Sequence, residues 1–275
     1  MAADSGMQGE ILRYSRQLIL DGFGTEAQER LKSARVLVAG AGGLGSPVLL
    51  YLAAAGVGTL GIADFDTVTL SNLNRQIIHH TEDIGRKKVD SAEEKIRRLN
   101  PRICVEKHYG RLGLDTVEEM VGSYDMVVDA ADNFPARYLI SDCCFFLGKP
   151  LVEGAASGFE GILFTIVPGR TPCYRCLYPA PPEDGVMPSC SDTGILGAVT
   201  GIIGSLQAME VIKVLTGTGE TFSGRLLTVD ALTGSFREIR WPRDENCPLC
   251  GKNPVIRELI QYEVHCKRKG DHSSV

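Results

Sequence analysis

The sequence has little of what several protein classes require. It holds one tryptophan, five histidines and only 7% aromatic residues. No two of His79, His80, His108, His265 and His272 stand at metal-ligand spacing, so they read as surface or structural groups. Positive charge is not in excess: 29 Lys and Arg face 34 Asp and Glu, a net charge of −5. No bulk field holds nucleic acid or an anionic membrane, and neither is an expected partner. No apolar run is free of polar residues over a membrane's thickness. The longest, 194–215, is interrupted by Ser205, Gln207, Glu210 and Lys213 and reads as a buried helix. Residues 1–10 carry neither a basic run nor an apolar core, so no signal peptide is expected and the chain reads as cytoplasmic. In that compartment nine cysteines point to thiols and metal, not to a disulfide framework.

What remains is an ordinary globular balance of 275 residues, 44% hydrophobic and 23% charged, with 31 glycines. Residues 10–33 read as one helical stretch. The short apolar run 36–39 reads as a buried strand, and 40–45 as a glycine turn. A helix over 47–55 opens with Pro47, and a strand over 59–63 stops at Asp64-Phe65-Asp66. This is a βαβ unit. Residues 87–99 place Val89, Ala92, Ile96 and Leu99 on one face of a surface helix. A strand over 103–108, a helix over 116–121 and a strand over 126–130 continue the alternation. The expected fold class is α/β: a Rossmann-like, mostly parallel sheet with helices on both faces. After about residue 168 the character changes. A Pro-rich acidic loop over 179–188 precedes the apolar helix. Runs 225–229 and 235–240 suggest an antiparallel hairpin, and 263–275 a polar, disordered tail.

Gly40-Ala41-Gly42-Gly43-Leu44-Gly45 fits the dinucleotide fingerprint, with a strand before it and a helix after. Small residues let backbone approach phosphate oxygens, and the helix start offers free N–H groups. Asp64, 19 residues after Gly45, suits a ribose. The fingerprint does not choose between NAD and ATP. The polar run does: Asp66, then Ser71-Asn72-Leu73-Asn74-Arg75-Gln76, then Lys88. A triphosphate needs such cations, and it needs a carboxylate for Mg²⁺, which Asp132 beyond the fourth strand could supply, with Asn133 beside it. A nicotinamide-dependent oxidoreductase would share Gly40 to Gly45 and Asp64, but would leave Arg75, Lys88 and Asp132 unexplained.

Cys173-x-x-Cys176 and Cys247-x-x-Cys250 form two knuckles. Four thiolates at that spacing complete a tetrahedral Zn²⁺ site with no open position, tying distant segments together. Cys104, Cys143 and Cys144 read as core residues.

With Arg13-Tyr14-Ser15-Arg16-Gln17, Gly40 to Gly45, Asp64-Phe65-Asp66, Leu70 to Gln76, Lys88, Asp129 to Asn133, Cys173-Tyr174-Arg175-Cys176 and Gly204 to Ala208, the chain resembles the ThiF/MoeB/HesA family, prokaryotic relatives of ubiquitin-activating enzymes. The resemblance implies ATP-dependent adenylation of the C-terminal glycine of a ubiquitin-like sulfur carrier ending in Gly-Gly, in molybdopterin or thiamine synthesis. It implies that Arg16 reaches the triphosphate of a neighbouring subunit in a homodimer. Cys190 matches the family's loop cysteine, which forms covalent intermediates in some members and is dispensable in others. A relative acting on a modified tRNA base is the further alternative, which the acidic net charge disfavours. The implied organisation is an ATP-binding part over 1–167 and a zinc-tied carrier-binding part of the same domain over 168–262. Sulfur would come from a separate donor, such as a cysteine desulfurase or a rhodanese.

Overall fold

The first helical stretch breaks where glycine permits it. α1 (Met7–Leu18) and α2 (Gly24–Ser33) are separated by a turn in which Gly22 and Gly24 take φ of 77° and 64°, a left-handed conformation that costs glycine little. The single helix expected over 10–33 is therefore two. This computed structural model describes residues 6–182, 194–260 and 262. Cys190, the second half of the Pro-rich loop, Cys266 and the tail from 263 lie outside them.

The chain continues through β1 (Arg35–Ala39), α3 (Gly45–Ala55), β2 (Thr59–Ala63), α4 (Lys88–Leu99), β3 (Cys104–His108), α5 (Leu114–Gly122), β4 (Met126–Asp129) and α6 (Phe134–Leu147). It then forms β5 (Leu151–Ser157), β6 (Glu160–Ile166), α7 (Tyr174–Leu177), α8 (Gly197–Thr216), β7 (Arg225–Asp230) and β8 (Ser235–Arg240). The strands make one sheet in the order β3-β2-β1-β4-β5-β6-β7-β8. β1 to β5 pair in parallel, and β6, β7 and β8 add antiparallel. The hairpin read from the sequence is β7–β8. The stretch 134–166 is α6 and the β5–β6 hairpin, and neither carries a motif.

Alternation along each parallel strand sorts its residues into two cores. Val36, Val38, Leu60, Ile62 and Val128 pack with Leu49 and Leu52 of α3, Val89 of α4 and Ile203 of α8. Leu37, Ala39 and Val127 pack on the other side with Val117 of α5 and Leu139 and Ile140 of α6. Both faces are thus covered, and the strands need no polar side. The strand order reverses between β1 and β4, which opens a crevice at their carboxyl ends.

α8 is long and apolar enough to cross a membrane by length and composition alone. Its inner face nevertheless packs on α3 and the sheet. A Cβ on Gly204 would lie 2.4 Å from Pro47 Cγ and 2.5 Å from the Leu44 carbonyl oxygen, so glycine lets the two helices approach. Cys143 and Cys144 are buried as expected. Cys104 is not: it opens the edge strand β3 on the outward side of the pleat and is exposed.

Candidate active site

The glycines of the turn divide two tasks. Gly40 has φ of 110°, and a Cβ there would sit 2.6 Å from the Ala130 carbonyl oxygen. A Cβ on Gly45 would sit 1.8 Å from the Gly40 carbonyl oxygen. Gly40 lets the ends of β1 and β4 meet, and Gly45 lets the start of α3 close onto the turn. Gly42 and Gly43 have no backbone so close and border the cleft. Gly45 lies behind the turn and does not.

The cleft has a volume of about 1000 Å³ and lies over the carboxyl ends of the parallel strands. It gathers Gly40, Gly42, Gly43, Asp64, Asp66, Arg75, Gln76, Lys88, Asp132 and Asn133 from the expected set. Lys88, the first residue of α4, is nearly buried. Its Nζ lies 2.8 Å from Asp66 Oδ2 and 3.9 Å from Asp64 Oδ2. Asp64 accepts from the Ala41 and Asp66 backbone N–H groups, both at 2.8 Å. Burial pushes its pKa up, against the pull of Lys88 and of those two bonds. The Arg75 guanidinium donates to the Ser71 carbonyl oxygen at 3.1 Å and to Asn74 Oδ1 at 3.2 Å. Asn72 supplies its carbonyl to the Arg75 and Gln76 N–H groups. Ser71, Asn72 and Asn74 thus shape the loop that presents Arg75 and do not themselves border the cleft. Gln76 does, and its buried side-chain oxygen has no partner among the described residues, which leaves an acceptor for a ligand. Asp132 is exposed at the cleft. Asn133 caps α6, accepting from the Ala136 N–H at 3.0 Å. Arg16 is exposed on α1 and does not border its own chain's cleft.

Two supports carry no sequence motif. His79 is buried beneath the glycine turn. Its Nε2 lies 2.9 Å from the Ala41 carbonyl oxygen, which can only accept, so Nε2 carries the proton and Nδ1 accepts from Ser91 Oγ at 2.8 Å. Burial pushes its pKa down to about 4, and the ring is neutral. The second support is ionic. Asp129 and Glu153 face each other in register across β4 and β5, both fully buried. Burial pushes both carboxyls up, and Arg137 opposes it. Arg137 reaches Glu153 at 3.1 Å and donates to the Ala131 and Gly154 carbonyl oxygens at 2.6 and 2.9 Å. It therefore clamps the loop after β4, which bears Asp132, to β5. The cleft also has an aromatic wall, bordered by Phe164, Tyr174, Tyr178 and Tyr262.

The four knuckle cysteines converge. Their sulfurs lie within 4.8 Å of one another, with Cys173–Cys176 at 3.8 Å, Cys173–Cys247 at 3.5 Å and Cys176–Cys250 at 3.3 Å. Zn–S bonds of about 2.3 Å in a tetrahedron put sulfurs about 3.8 Å apart, so the set fits a metal ion. Leu249, Phe145 and Ile256 cover it. None of the four cysteines borders the cleft.

The ThiF family profile matches residues 14–249. The sulfur carrier protein adenylyltransferase of Thermus thermophilus is 48% identical over 262 residues, spanning 94% of this chain and 97% of that protein. The adenylyltransferase and sulfurtransferase MOCS3-2 of Zea mays is 49% identical over 259 residues, but this chain spans only 54% of its length. The crystal structure of Escherichia coli MccB with ATP shares the fold, with a TM-score of 0.76 at 23% identity over 86% of this chain and 74% of that one. The profile match, the cleft at the sheet's switch point and the two identities place the chain in one group: it belongs to the ThiF family.

Proposed function

We propose that the protein is an ATP-dependent adenylyltransferase that activates the C-terminal glycine of a small ubiquitin-like sulfur carrier as an acyl-adenylate, releasing pyrophosphate. The pathway is molybdopterin or thiamine biosynthesis, in the cytoplasm. The carrying observation is the pairing of a glycine turn with two cations, Arg75 and Lys88, and the carboxylates Asp64, Asp66 and Asp132 around one cleft. A polyphosphate needs this arrangement, and a nicotinamide ring does not. The named activity of the Thermus thermophilus relative supports the same reading.

The chemistry asks little of a base. A C-terminal carboxylate is ionised at neutral pH and attacks the α-phosphorus directly. Catalysis is alignment and neutralisation of charge on the departing pyrophosphate. Asp64 takes the ribose hydroxyls. Gly42 and Gly43 leave room for phosphate oxygens, and Lys88 and Arg75 meet the charge. Asp132 would hold Mg²⁺, which offsets phosphate charge when bound. The four cysteines would hold Zn²⁺ as a structural tie. Arg16, exposed on α1, completes the site of a second copy in a homodimer.

ATP–pyrophosphate exchange with carrier present tests this. Arg16→Ala and Asp132→Ala are each expected to abolish exchange with the fold retained. Mixing the two inactive variants should restore about a quarter of wild-type activity, because half the random pairs carry one intact composite site. No restoration sinks the shared site, and full activity of either variant sinks its assigned role.

A further inference from the structure

We infer that Arg175 is a positioning residue: it fixes the aromatic wall of the cleft and so sets affinity for the carrier's C-terminal segment, not for ATP. The inference rests on the function proposed above.

Arg175 lies between two of the metal-ligand cysteines, on the single turn α7, and is 1% exposed. A guanidinium is buried at great cost unless its donors are used. Here they are. Nε donates to Asp142 at 2.9 Å and Nη2 to its other oxygen at 2.7 Å. Nη2 also donates to Tyr262 Oη at 3.0 Å, and Nη1 to the Pro179 carbonyl oxygen at 3.1 Å. The guanidinium carbon lies 4.8 Å from the centre of the Tyr138 ring. One side chain thus joins α6, which bears Tyr138 and the fully buried Asp142, to the segment leaving α7 and to Tyr262, which follows the second cysteine pair.

These stretches bear the wall. Tyr138 packs edge-on against Tyr174 and Tyr262, with ring centres 5.1 and 5.6 Å apart. Its hydroxyl meets the Tyr178 and Ala180 carbonyl oxygens at 3.0 and 2.7 Å. Tyr262 belongs to no helix or strand, so the bond to Arg175 and the ring contact with Tyr138 hold it. None of these Arg175 bonds goes to the glycine turn, Asp64 or Lys88, and the loop that bears Asp132 is held by other bonds, those of Arg137 to Glu153, Ala131 and Gly154. The wall and the phosphate-facing residues are thus held by different contacts. Aromatic faces suit the apolar and backbone groups of an extended peptide whose terminal carboxylate reaches the nucleotide.

A purely structural ion pair makes a different expectation. Weakening it would lower the melting temperature, while the folded molecules bound carrier normally. The test uses the full-length, zinc-loaded protein as wild type, Arg175→Lys and Tyr262→Phe. Exchange is measured against carrier at saturating ATP, then against ATP at saturating carrier. Lysine keeps the charge but cannot hold Asp142, Tyr262 and Pro179 in one fork. The expected KM for carrier rises about tenfold in Arg175→Lys and about threefold in Tyr262→Phe, with kcat and the KM for ATP within about twofold. A second readout needs no turnover. Trp241, the single tryptophan, packs at 4.9 Å on Phe164 of the cleft, and its emission should shift in both variants. An unchanged KM for carrier in a folded variant, or an equal rise in the KM for ATP, overturns the inference. If Arg175→Lys fails to fold by circular dichroism, Tyr262→Phe decides. Absence of exchange in the wild type would instead overturn the proposed function beneath it.

Discussion

Replacing Lys88 by methionine removes a nearly buried cation that lies between two carboxylates, 2.8 Å from Asp66 and 3.9 Å from Asp64. A pair of charges at 4 Å in an effective dielectric of 20 is worth about 4 kcal/mol. Two effects reduce that figure. The Asp66 side chain is 47% exposed, so water screens its share. Asp64, already pushed up by burial, can take up a proton once the cation is gone. The net destabilisation should be about 1–3 kcal/mol, or a fall in Tm of roughly 3–8 °C. The catalytic loss should be larger. On the function proposed above, Lys88 meets the charge that develops on the leaving pyrophosphate, and loss of one such donor costs about 10²–10³-fold in rate. Lys88→Arg keeps the charge in a broader shape and should fall between the two. Differential scanning calorimetry supplies the first quantity and ATP–pyrophosphate exchange the second. Exchange by Lys88→Met within about threefold of wild type would refute the placement of Lys88 against the triphosphate.

Three further outcomes are expected. His79 is held neutral with its pKa at about 4, against an ordinary 6.5. As pH falls through 6.5 the unfolded chain takes up a proton that the folded chain refuses until about pH 4. The stability present above pH 6.5 is therefore lost across that window. His79→Gln should flatten the fall of the urea midpoint between pH 6.5 and 4, and an unchanged slope counts against a buried neutral ring. Chelation of the metal that Cys173, Cys176, Cys247 and Cys250 would hold should lower Tm by about 10 °C and expose their thiols to a reagent. Metal analysis finding far less than about one zinc per chain in protein purified without chelator would reject the site. Gly204→Ala drives a methyl into Pro47 and the Leu44 carbonyl and should cost about 1–3 kcal/mol. Gly201→Ala, on the same helix with open space around it, should gain about 0.5–1 kcal/mol. Equal Tm shifts in the two would mean that α3 and α8 do not pack as described.

Local pattern determined much of this molecule. The apolar runs at Val36 to Ala39 and Met126 to Val128 read as buried parallel strands because a strand covered on both faces has no polar side. Gly40 to Gly45 stood out because glycines spaced between a strand and a helix let backbone approach backbone and phosphate closely. Two Cys-x-x-Cys pairs announced a metal because their spacing is set by coordination geometry. Tertiary structure alone decided the rest. The break at Gly22 and Gly24 is hidden inside a continuous helical pattern. That Gly40 abuts the Ala130 carbonyl while Gly42 and Gly43 border the cleft depends on where β4 lies. The clamp of Asp129, Glu153 and Arg137 exists only because β4 and β5 pair in one register. His79 meets Ala41, and Arg175 meets Tyr262, only after distant segments dock. Spacing and periodicity carry information over a turn of helix or a few residues of strand. A buried polar contact is specified by the packing of whole elements, so it leaves no short-range mark in the chain.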